Sequence, residues 1–267
     1  MRTTRIQTEY KEEIETAAER FGDHEDMNEA RIVRWLIQFH DHDLDLAVRV
    51  IRAIRYVNGV NIRTMTKQLF EIADDELREQ GFQKVALVPV GDAGAGSGTV
   101  VRVLREVIRG RSGFRVMGML AVAKLQPGDV DAILFIDDFS GTGETLEKWW
   151  ENVEPTVRPT NAAVYMGLLL LNEPARGRIE TFAQIIAVEE LAAEENVFHD
   201  DNKHFSAPEK ETILAQCRMT GAKPRYEKGR GECGLLLSFK HGCPNNSLPI
   251  LWHQSETWRA LFKRSAI

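Results

Sequence analysis

The stretch that decides the fold runs from residue 133 to residue 146 and reads ILFIDDFSGTGETL. Four apolar residues predict a buried strand, two adjacent carboxylates follow at Asp137 and Asp138, and a turn rich in glycine and hydroxyl groups leads into a helix. In an open parallel sheet, ligands bind beyond the carboxyl ends of the strands. Both acids therefore lie where a binding site is expected, provided that the rest of the chain supplies such a sheet.

Strands alternate with helices along the chain on both sides of this stretch. Besides this strand, at residues 132–136, strands are predicted at residues 85–90, 114–120, 162–171 and 183–188. Helices are predicted at residues 99–109 and 144–152. Strands with so few polar residues are typical of a parallel sheet that is covered on both faces. We therefore predict an α/β fold whose sheet is mostly parallel, with helices on both of its faces.

A helical region precedes the sheet in the sequence. Apolar residues recur at helical spacing in residues 32–39, 44–54 and 62–72, and an amphipathic helix is expected near residues 9–20. These patterns predict a helical N-terminal region at residues 1–82 and a core at residues 83–267, of which residues 191–267 form a C-terminal hood or lid segment. Residues 234–240 are expected to form a last strand parallel with the core strands.

Composition excludes several classes of protein. The 267 residues are 43% hydrophobic and 28% charged with a net charge of −6, so neither disorder nor an anionic partner is indicated. No apolar signal segment opens the chain, and the longest apolar stretch is about half the length of a membrane span. We expect a cytoplasmic protein without a membrane partner. The cysteines, Cys217, Cys233 and Cys243, are interpreted as reduced thiols, with a zinc site at Cys233, His241 and Cys243 as the alternative.

The turn after the two acids is suited to bind a phosphate dianion. It consists of Ser140, Gly141, Thr142, Gly143, Glu144 and Thr145. These residues bring backbone N–H groups, hydroxyls and the positive end of a helix dipole together. Asp137 and Asp138 would repel a phosphate unless they bind something else, and two vicinal ribose hydroxyls are good donors to such a pair. The spacing therefore indicates a ribose 5-phosphate, with Mg²⁺ at the two acids offsetting their charge. The alternative is an ordinary helix start with two solvated acids.

A second glycine-rich loop, GDAGAGSG, follows the first predicted core strand. Its candidate ligand-binding residues are Gly91, Asp92, Gly94, Gly96, Ser97 and Gly98. The glycines let backbone N–H groups approach an anion closely. The loop is not a Walker A loop, since no lysine precedes its serine, and it does not follow the dinucleotide-binding pattern. A tight turn between a strand and a helix is the alternative.

Residues 133–145 resemble the signature of the type I phosphoribosyltransferase family, in which four apolar residues, two acids and a short spacer precede T-G-x-T. The resemblance implies phosphoribosyl pyrophosphate (PRPP) as ligand together with Mg²⁺. It also implies that Asp137 and Asp138 face the ribose hydroxyls, that residues 141–145 face the 5′-phosphate, and that residues 91–98 form the pyrophosphate loop. The chain departs from the family in two places, since its second loop is short and its pyrophosphate loop contains no arginine or lysine.

More narrowly, the chain resembles the phosphoribosyltransferase-like proteins of bacterial conflict systems, some of which are effectors beside retron reverse transcriptases. The helical N-terminus and the ending HGCPNNSLPILW, residues 241–252, carry this likeness. It implies a role in antiviral defence and a nucleoprotein partner, such as a retron reverse transcriptase with its RNA and DNA. A homo-oligomer is also left open.

Residues of the C-terminal segment are candidates for a lid or a base-reading wall. His241 ends the last predicted strand, and Asn245 and Asn246 follow it between two prolines. If that strand runs with the core strands, the loop after it emerges at the edge of the sheet that carries the two phosphate loops. An ordinary turn and a partly exposed histidine are the alternatives.

These patterns predict a phosphoribosyltransferase-like enzyme that acts on PRPP or a nucleotide by Mg²⁺-dependent substitution at ribose C1. One alternative is a non-catalytic PRPP or nucleotide sensor, which the two departures from the family favour. Another is an interaction module that a nucleoprotein partner holds inactive. That module is favoured if the basic stripe of Arg49, Arg52 and Arg55 is unpaired, whereas pairing with nearby acids indicates an ordinary solvated face.

Overall fold

The computed structural model describes residues 2–91 and 96–264 of the chain. The helices are α1 (Arg2–Glu9), α2 (Lys11–Arg20), α3 (Glu29–Leu36), α4 (Leu44–Ala53), α5 (Gly59–Glu79), α6 (Gly96–Val107), α7 (Met119–Val122), α8 (Glu144–Val157), α9 (Glu173–Ile179), α10 (Ala207–Met219) and α11 (Pro249–Trp252). The strands are β1 (Arg55–Val57), β2 (Val85–Pro89), β3 (Phe114–Val116), β4 (Ala132–Ser140), β5 (Ala163–Asn172), β6 (Gln184–Leu191) and β7 (Leu237–Phe239).

Five of these strands form a parallel sheet in the order β3–β2–β4–β5–β6. The apolar composition of β4 and β5 fits central strands that are buried on both faces. From β2 the chain winds outward to β3 and then returns to β4 on the other side of β2, so the direction of winding reverses between β2 and β4. Such a reversal opens a crevice beyond the carboxyl ends of the strands. The prediction of a mostly parallel sheet is confirmed.

Helices pack on both faces of this sheet. On one face, Phe135 of β4 belongs to an apolar cluster with Leu146 of α8. On the other face, a side chain added at Gly167 of β5 would lie 3.2 Å from Leu134 and 3.4 Å from Leu69 of α5. The glycine therefore allows α5 to approach the sheet closely, and the predicted covering of both faces is confirmed.

The chain divides into two compact units. The first combines Met1–Gly59 with Ala192–Ala266, and the second is Val60–Leu191. The second unit contains the five-stranded sheet and also α5, which the sequence pattern places in the N-terminal region. The units therefore divide the chain differently from the expected boundary at residue 82, because the apolar face of α5 packs on the sheet.

The first unit joins both ends of the chain around one apolar core. The indole N–H groups of Trp35 and Trp258, both buried, donate to the carbonyl oxygen of Ile250 at 2.7 and 3.1 Å. Arg31 Nε donates to the carbonyl oxygen of Leu261 at 2.7 Å. These long-range contacts join the N-terminal helices and the C-terminal segment in one compact unit.

Two strand predictions are wrong in part. The strand expected at residues 114–120 ends at Val116, because Gly118 is the N-cap of the short helix α7. The strand expected at residues 234–240 is shortened to β7, which pairs in parallel with β1 in a separate two-stranded sheet. It therefore does not join the core strands as expected. β1 spans only three residues, which is too short to show a periodic pattern in the sequence.

Candidate functional site

The two acids lie within β4 itself rather than in a turn that follows it. The strand continues past the expected end at Ile136, because β5 keeps pairing with it as far as the register pair of Ser140 and Leu171. Asp137 is in register with Leu168. Both carboxylates therefore project from the carboxyl end of the central strand, where the neighbouring strands hold the backbone in place.

The two predicted phosphate loops leave the sheet side by side. Pro89, the last residue of β2, is in register with Ile136 of β4. The N–H group of Val90 donates to the carbonyl oxygen of Ile136 at 3.0 Å, so the pairing continues one residue beyond β2. Gly91, at the start of the first loop, and Asp137, within β4, therefore lie at the same edge, where the winding of the sheet reverses.

The base of the expected pyrophosphate loop is fixed by a hydrogen bond. The hydroxyl of Ser97, which is fully buried, donates to the carbonyl oxygen of Val90 at 2.6 Å. Gly91 has a φ of 71°, a conformation that glycine adopts without strain. Helix α6 begins at Gly96 and includes Gly98, so this loop leads into a helix N-terminus. Helix N-termini are suited to bind anions. Asp92 and Gly94, which belong to the same prediction, lie outside the described residues.

Asp137 lies in an environment that disfavours its negative charge. Burial raises the pKa of this carboxyl group well above its ordinary value of 3.8, and the charge of Asp138 raises it further. The backbone N–H of Asp138 donates to Asp137 Oδ1 at 2.9 Å, which acts in the opposite direction. Asp137 is partly exposed to solvent, although protein atoms surround most of its carboxyl group. A ligand that brings hydroxyl donors or a cation to this carboxylate would relieve the cost of ionising it.

We expect Asp137→Asn to stabilise the ligand-free protein at neutral pH. The folded-state pKa of Asp137 is raised, so the folded protein still holds a proton at pH values where the unfolded chain has released it. Stability from this group is therefore present below the unfolded pKa and is lost as pH rises toward the folded pKa, by about 1.4 kcal/mol per unit of separation. Urea unfolding should show the variant more stable than the wild type near about pH 7, with the gap closing toward about pH 4.

The exposed Asp75 of α5 supplies a matched control for that comparison. The variant Asp75→Asn should shift unfolding far less than Asp137→Asn does. A gap between Asp137→Asn and the wild type that stays the same size across the pH range would contradict the proposed origin of the effect.

Residues 140–145 run from the last residue of β4 into the first turn of α8, and we name them the phosphate loop. The geometry of this loop requires glycine at one position. Gly143 is the N-cap of α8 and has a φ of 75°. A Cβ atom there would lie 3.0 Å from the carbonyl oxygen of Ala175 and 3.0 Å from the Cβ of Arg178. The chain can follow this path only without a side chain at residue 143.

The first turn of α8 lies directly after the glycine turn that follows β4. Its N-cap residue, Gly143, has no side chain with which to cap the helix. The hydroxyl of Thr142 accepts from the N–H group of Glu144 only at the long distance of 3.5 Å. Ser140 is buried, whereas Thr142 is partly exposed and Thr145 exposed. A helix start in this state is suited to an anion, and the phosphate loop as predicted keeps that capacity.

Sequence reasoning missed Asn172, which holds the phosphate loop from the side. This last residue of β5 is 6% exposed, and its Nδ2 donates to the carbonyl oxygen of Gly141 at 3.1 Å. A signal was available, because Asn172 is the first polar residue after the run of four leucines. It therefore lies at the carboxyl end of the strand next to β4, where ligand-site residues are expected.

The carboxylates fit a magnesium ion only with help from a ligand. Among the described residues, no group of three His, Cys, Asp or Glu side chains is arranged to hold a metal. Mg²⁺ is commonly bound through one or two carboxylates, with water and substrate phosphates completing its shell. Asp137 and Asp138 thus match an ion that arrives with a phosphorylated ligand.

Within the residues that the structure covers, Cys233, His241 and Cys243 are not grouped as the ligands of a zinc ion would be. The thiol of Cys243 is buried and donates to the carbonyl oxygen of Leu237 at 3.2 Å. Burial raises the pKa of this thiol to about 12, so the thiolate that a metal would need is disfavoured.

The candidate lid residues belong to the first unit. Asn246 is 8% exposed and its Nδ2 donates to the carbonyl oxygen of Arg230 at 3.0 Å, while the carbonyl oxygen of Asn245 accepts from the N–H of Arg230 at 2.7 Å. These bonds are typical of an ordinary structural turn. A base-reading role for His241, Asn245 and Asn246 stays a prediction.

The basic stripe on and after α4 is paired with acids. Arg49 binds Glu209, Arg52 binds Glu13 at 2.8 Å, and Arg55 binds Glu195 at 3.3 Å. The stripe is thus a solvated, paired face, and the condition that would favour an interaction module is not met. Among the described residues, no helix has both the length and the apolar composition that crossing a bilayer requires.

A family model, PRTase-CE, matches residues 32–264. The chain belongs to the PRTase-CE family. The match spans most of the chain and includes the strand, the two acids and the phosphate loop. The resemblance to phosphoribosyltransferases that residues 133–145 indicate is confirmed at the level of the family. No curated protein matches the sequence.

Solved phosphoribosyltransferases are similar to about half of the chain. HGPRT-ase from Leishmania tarentolae, in complex with GMP, is 11% identical, with a TM-score of 0.35 over 51% of this chain and 79% of that chain. The hypoxanthine-guanine enzyme from Schistosoma mansoni, in complex with IMP, is 16% identical, with a TM-score of 0.36 over 51% and 64%. The hypoxanthine enzyme from Trypanosoma cruzi is 15% identical, with a TM-score of 0.33 over 52% and 76%. These scores are too low to support an argument about activity or substrate.

Proposed function

We propose that this PRTase-CE protein binds PRPP or a nucleotide through its ribose 5-phosphate and acts on it by Mg²⁺-dependent substitution at ribose C1. One arrangement carries the proposal. Two adjacent acids at the end of the central strand lead directly into a glycine turn at the start of a helix, beside a second glycine-rich loop at the point where the sheet reverses its winding. Membership of the PRTase-CE family supports this choice of ligand.

Asp137 and Asp138 accept hydrogen bonds from the ribose 2′- and 3′-hydroxyls in this proposal. Bonds to charged acceptors are stronger than neutral ones, and the partly buried position of Asp137 strengthens them further. The N–H groups and hydroxyls of residues 141–145 bind the 5′-phosphate. The sugar is thus fixed at both ends, which orients C1 for attack.

The proposed reaction breaks the bond between C1 and the pyrophosphate oxygen and forms a new bond from C1 to an acceptor. Positive charge develops on the ribose ring in the transition state, and the two carboxylates lie on the side of the hydroxyls, where they stabilise it. When bound, Mg²⁺ neutralises charge on the departing pyrophosphate. The chain itself supplies sugar orientation and the phosphate anchor.

A non-catalytic sensor is the second candidate. The segment between α7 and β4 is short, with Lys124 as its basic residue, and residues 91–98 contain no arginine or lysine. Little positive charge is then available from these two loops to stabilise a leaving pyrophosphate. A protein with these features can still bind the ribose 5-phosphate group.

Incubation with PRPP labelled in its pyrophosphate group distinguishes the two candidates. The full chain is mixed with Mg²⁺, labelled PRPP and a panel of bases and nucleotides. Release of pyrophosphate that requires an acceptor supports the enzyme. Saturable binding without release supports the sensor, and neither binding nor release overturns the proposal.

The double variant Thr142→Ala with Thr145→Ala is expected to weaken ribose 5-phosphate binding while leaving the fold intact. Each lost hydroxyl contact to a charged phosphate is worth about 1.5–3 kcal/mol, so the loss of two should lower the affinity by on the order of a hundredfold or more. Calorimetric titration with ribose 5-phosphate measures the change. Thr156→Ala, further along α8, is the control and should bind like the wild type. Unchanged affinity in the double variant would rule out this loop as the phosphate site.

We further propose that the protein is a cytoplasmic effector of a bacterial defence system, with a nucleoprotein partner such as a retron reverse transcriptase with its RNA and DNA. Support comes from the likeness of the helical N-terminus and residues 241–252 to proteins of conflict systems. Among the described residues the three cysteines form no disulfide, as is usual in a reducing compartment. Survival of phage-challenged cells that express the chain, compared with cells that express the Asp137→Asn, Asp138→Asn variant, tests this role. Equal survival would contradict it.

A further inference from the structure

Asn172 lies beside the phosphate loop because of the register between two strands. Ser140 of β4 pairs with Leu171 of β5, so the next residues, Gly141 and Asn172, are neighbours. The side chain of Asn172 is almost fully buried, and its Nδ2 donates to the carbonyl oxygen of Gly141 at 3.1 Å. The buried side-chain amide of Asn172 thus binds the backbone carbonyl of Gly141 in this loop.

Asn172 directly precedes α9, where its side chain could instead cap that helix. Asn172 is the N-cap of α9, with extended backbone angles (φ −87°, ψ 135°). Asparagine is favoured at an N-cap because its side chain accepts from the N–H groups of the first turn. Among the described residues, its side chain makes no such capping bond. The amide holds the phosphate loop instead of its own helix.

The bond fixes the direction of the next N–H group. Peptide units are planar, and the described residues contain no cis peptide bond, so the C=O of Gly141 and the N–H of Thr142 point in opposite directions. Gly141 has no side chain, so contacts to its backbone are what orient its peptide. We propose that Asn172 is a positioning residue that turns the Thr142 N–H group toward the 5′-phosphate of the ligand. This inference rests on the proposed function and adds to it a residue that orders the phosphate loop.

Helix α9 supports the loop at a second point. The carbonyl oxygen of Ala175 lies against Gly143, and Arg178 forms an ion pair with Glu147 of α8 at 2.8 Å. The amide of Asn172 therefore extends from a packed element rather than from a free loop. Such support keeps a binding group within a narrow range of geometries.

Two variants and one control test the proposal in the full chain. Asn172→Ala removes the donor, and Asn172→Asp removes it with little change of shape. Asn152→Ala is the control, since that exposed amide donates to the carbonyl oxygen of Lys148 on α8 at 2.7 Å, away from the loop. Calorimetry with ribose 5-phosphate and the ¹H–¹⁵N resonance of Thr142 during a titration with inorganic phosphate are the two measurements.

Both Asn172 variants should bind ribose 5-phosphate more weakly by on the order of tenfold to a hundredfold, as for one lost contact to a charged group. The Thr142 resonance should move on addition of phosphate in the wild type and in Asn152→Ala, and should move much less in both Asn172 variants. Urea unfolding should show that Asn172→Asp stays folded, which separates positioning from a general loss of structure.

Three results with the Asn172 variants would overturn the inference. Affinities of both variants within about twofold of the wild type would show that the bond does not matter for binding. A loss in Asn172→Asp alone would show repulsion by its added charge rather than lost positioning. Unfolding of both variants would make Asn172 a structural residue. If the wild type itself does not bind ribose 5-phosphate, the proposed function fails and this inference fails with it.

Discussion

The double variant Asp137→Asn, Asp138→Asn should lose Mg²⁺-dependent pyrophosphate release from PRPP and remain at least as stable as the wild type. Amides cannot hold a cation as carboxylates do, and they accept weaker hydrogen bonds from ribose hydroxyls. Two lost charged contacts at about 1.5–3 kcal/mol each correspond to on the order of a hundredfold to ten-thousandfold. Burial and the neighbouring charge already raise the pKa of Asp137, so neutral side chains should relieve strain in the fold.

Pyrophosphate release and urea unfolding, measured on the same preparations, test both halves of this expectation. The exposed Asp75 and Asp129 provide a double-amide control that changes the net charge equally. That control should keep its activity. If the Asp137 and Asp138 variant keeps full activity, the acids do not bind the sugar, and if it unfolds, their role is structural.

Gly143→Ala should disrupt ligand binding and destabilise the second unit. A left-handed conformation costs a residue with a side chain about 1–2 kcal/mol, and the φ of 75° at Gly143 demands that conformation. The added methyl group would also lie 3.0 Å from the backbone oxygen of Ala175, which cannot move without α9. The total loss of stability should reach about 1–3 kcal/mol. Displacement of the first turn of α8 should weaken ribose 5-phosphate binding by on the order of a hundredfold.

Gly177→Ala is the matched control for this substitution. Gly177 lies in α9 without a positive φ, and none of the described residues lies within 4 Å of a Cβ atom added there. Alanine is the better helix former, so this variant should unfold at equal or higher urea concentration and should bind ligand normally. Normal binding by Gly143→Ala would contradict the geometry assigned to the phosphate loop.

Local patterns in the sequence predict the centre of the second unit because the residues that form it are consecutive in the chain. An apolar run, two acids and a glycine turn follow each other without a gap, and they form β4, its acids and the start of α8. The scarcity of polar residues in β4 and β5 also predicts a parallel sheet, since strands buried on both faces need apolar side chains on both.

Features that depend on distant residues are the ones that sequence patterns miss. β7 pairs with β1, which is separated from it by about two thirds of the chain, so neither strand reveals the other. The end of β4 lies at Ser140 rather than Ile136 because β5 continues to pair there. Asn172 takes its role from the same register, which is known only once the two strands are aligned.

Equilibrium titration of the full chain with PRPP in the presence of Mg²⁺ most directly tests whether residues 137–145 form a ribose 5-phosphate site. Saturable binding to one site per chain is the expected result, and inorganic phosphate should compete for it. The Asp137→Asn, Asp138→Asn variant should show this binding strongly weakened under the same conditions. The absence of saturable binding to the wild type, or equal binding by that variant, would contradict the assignment of this site.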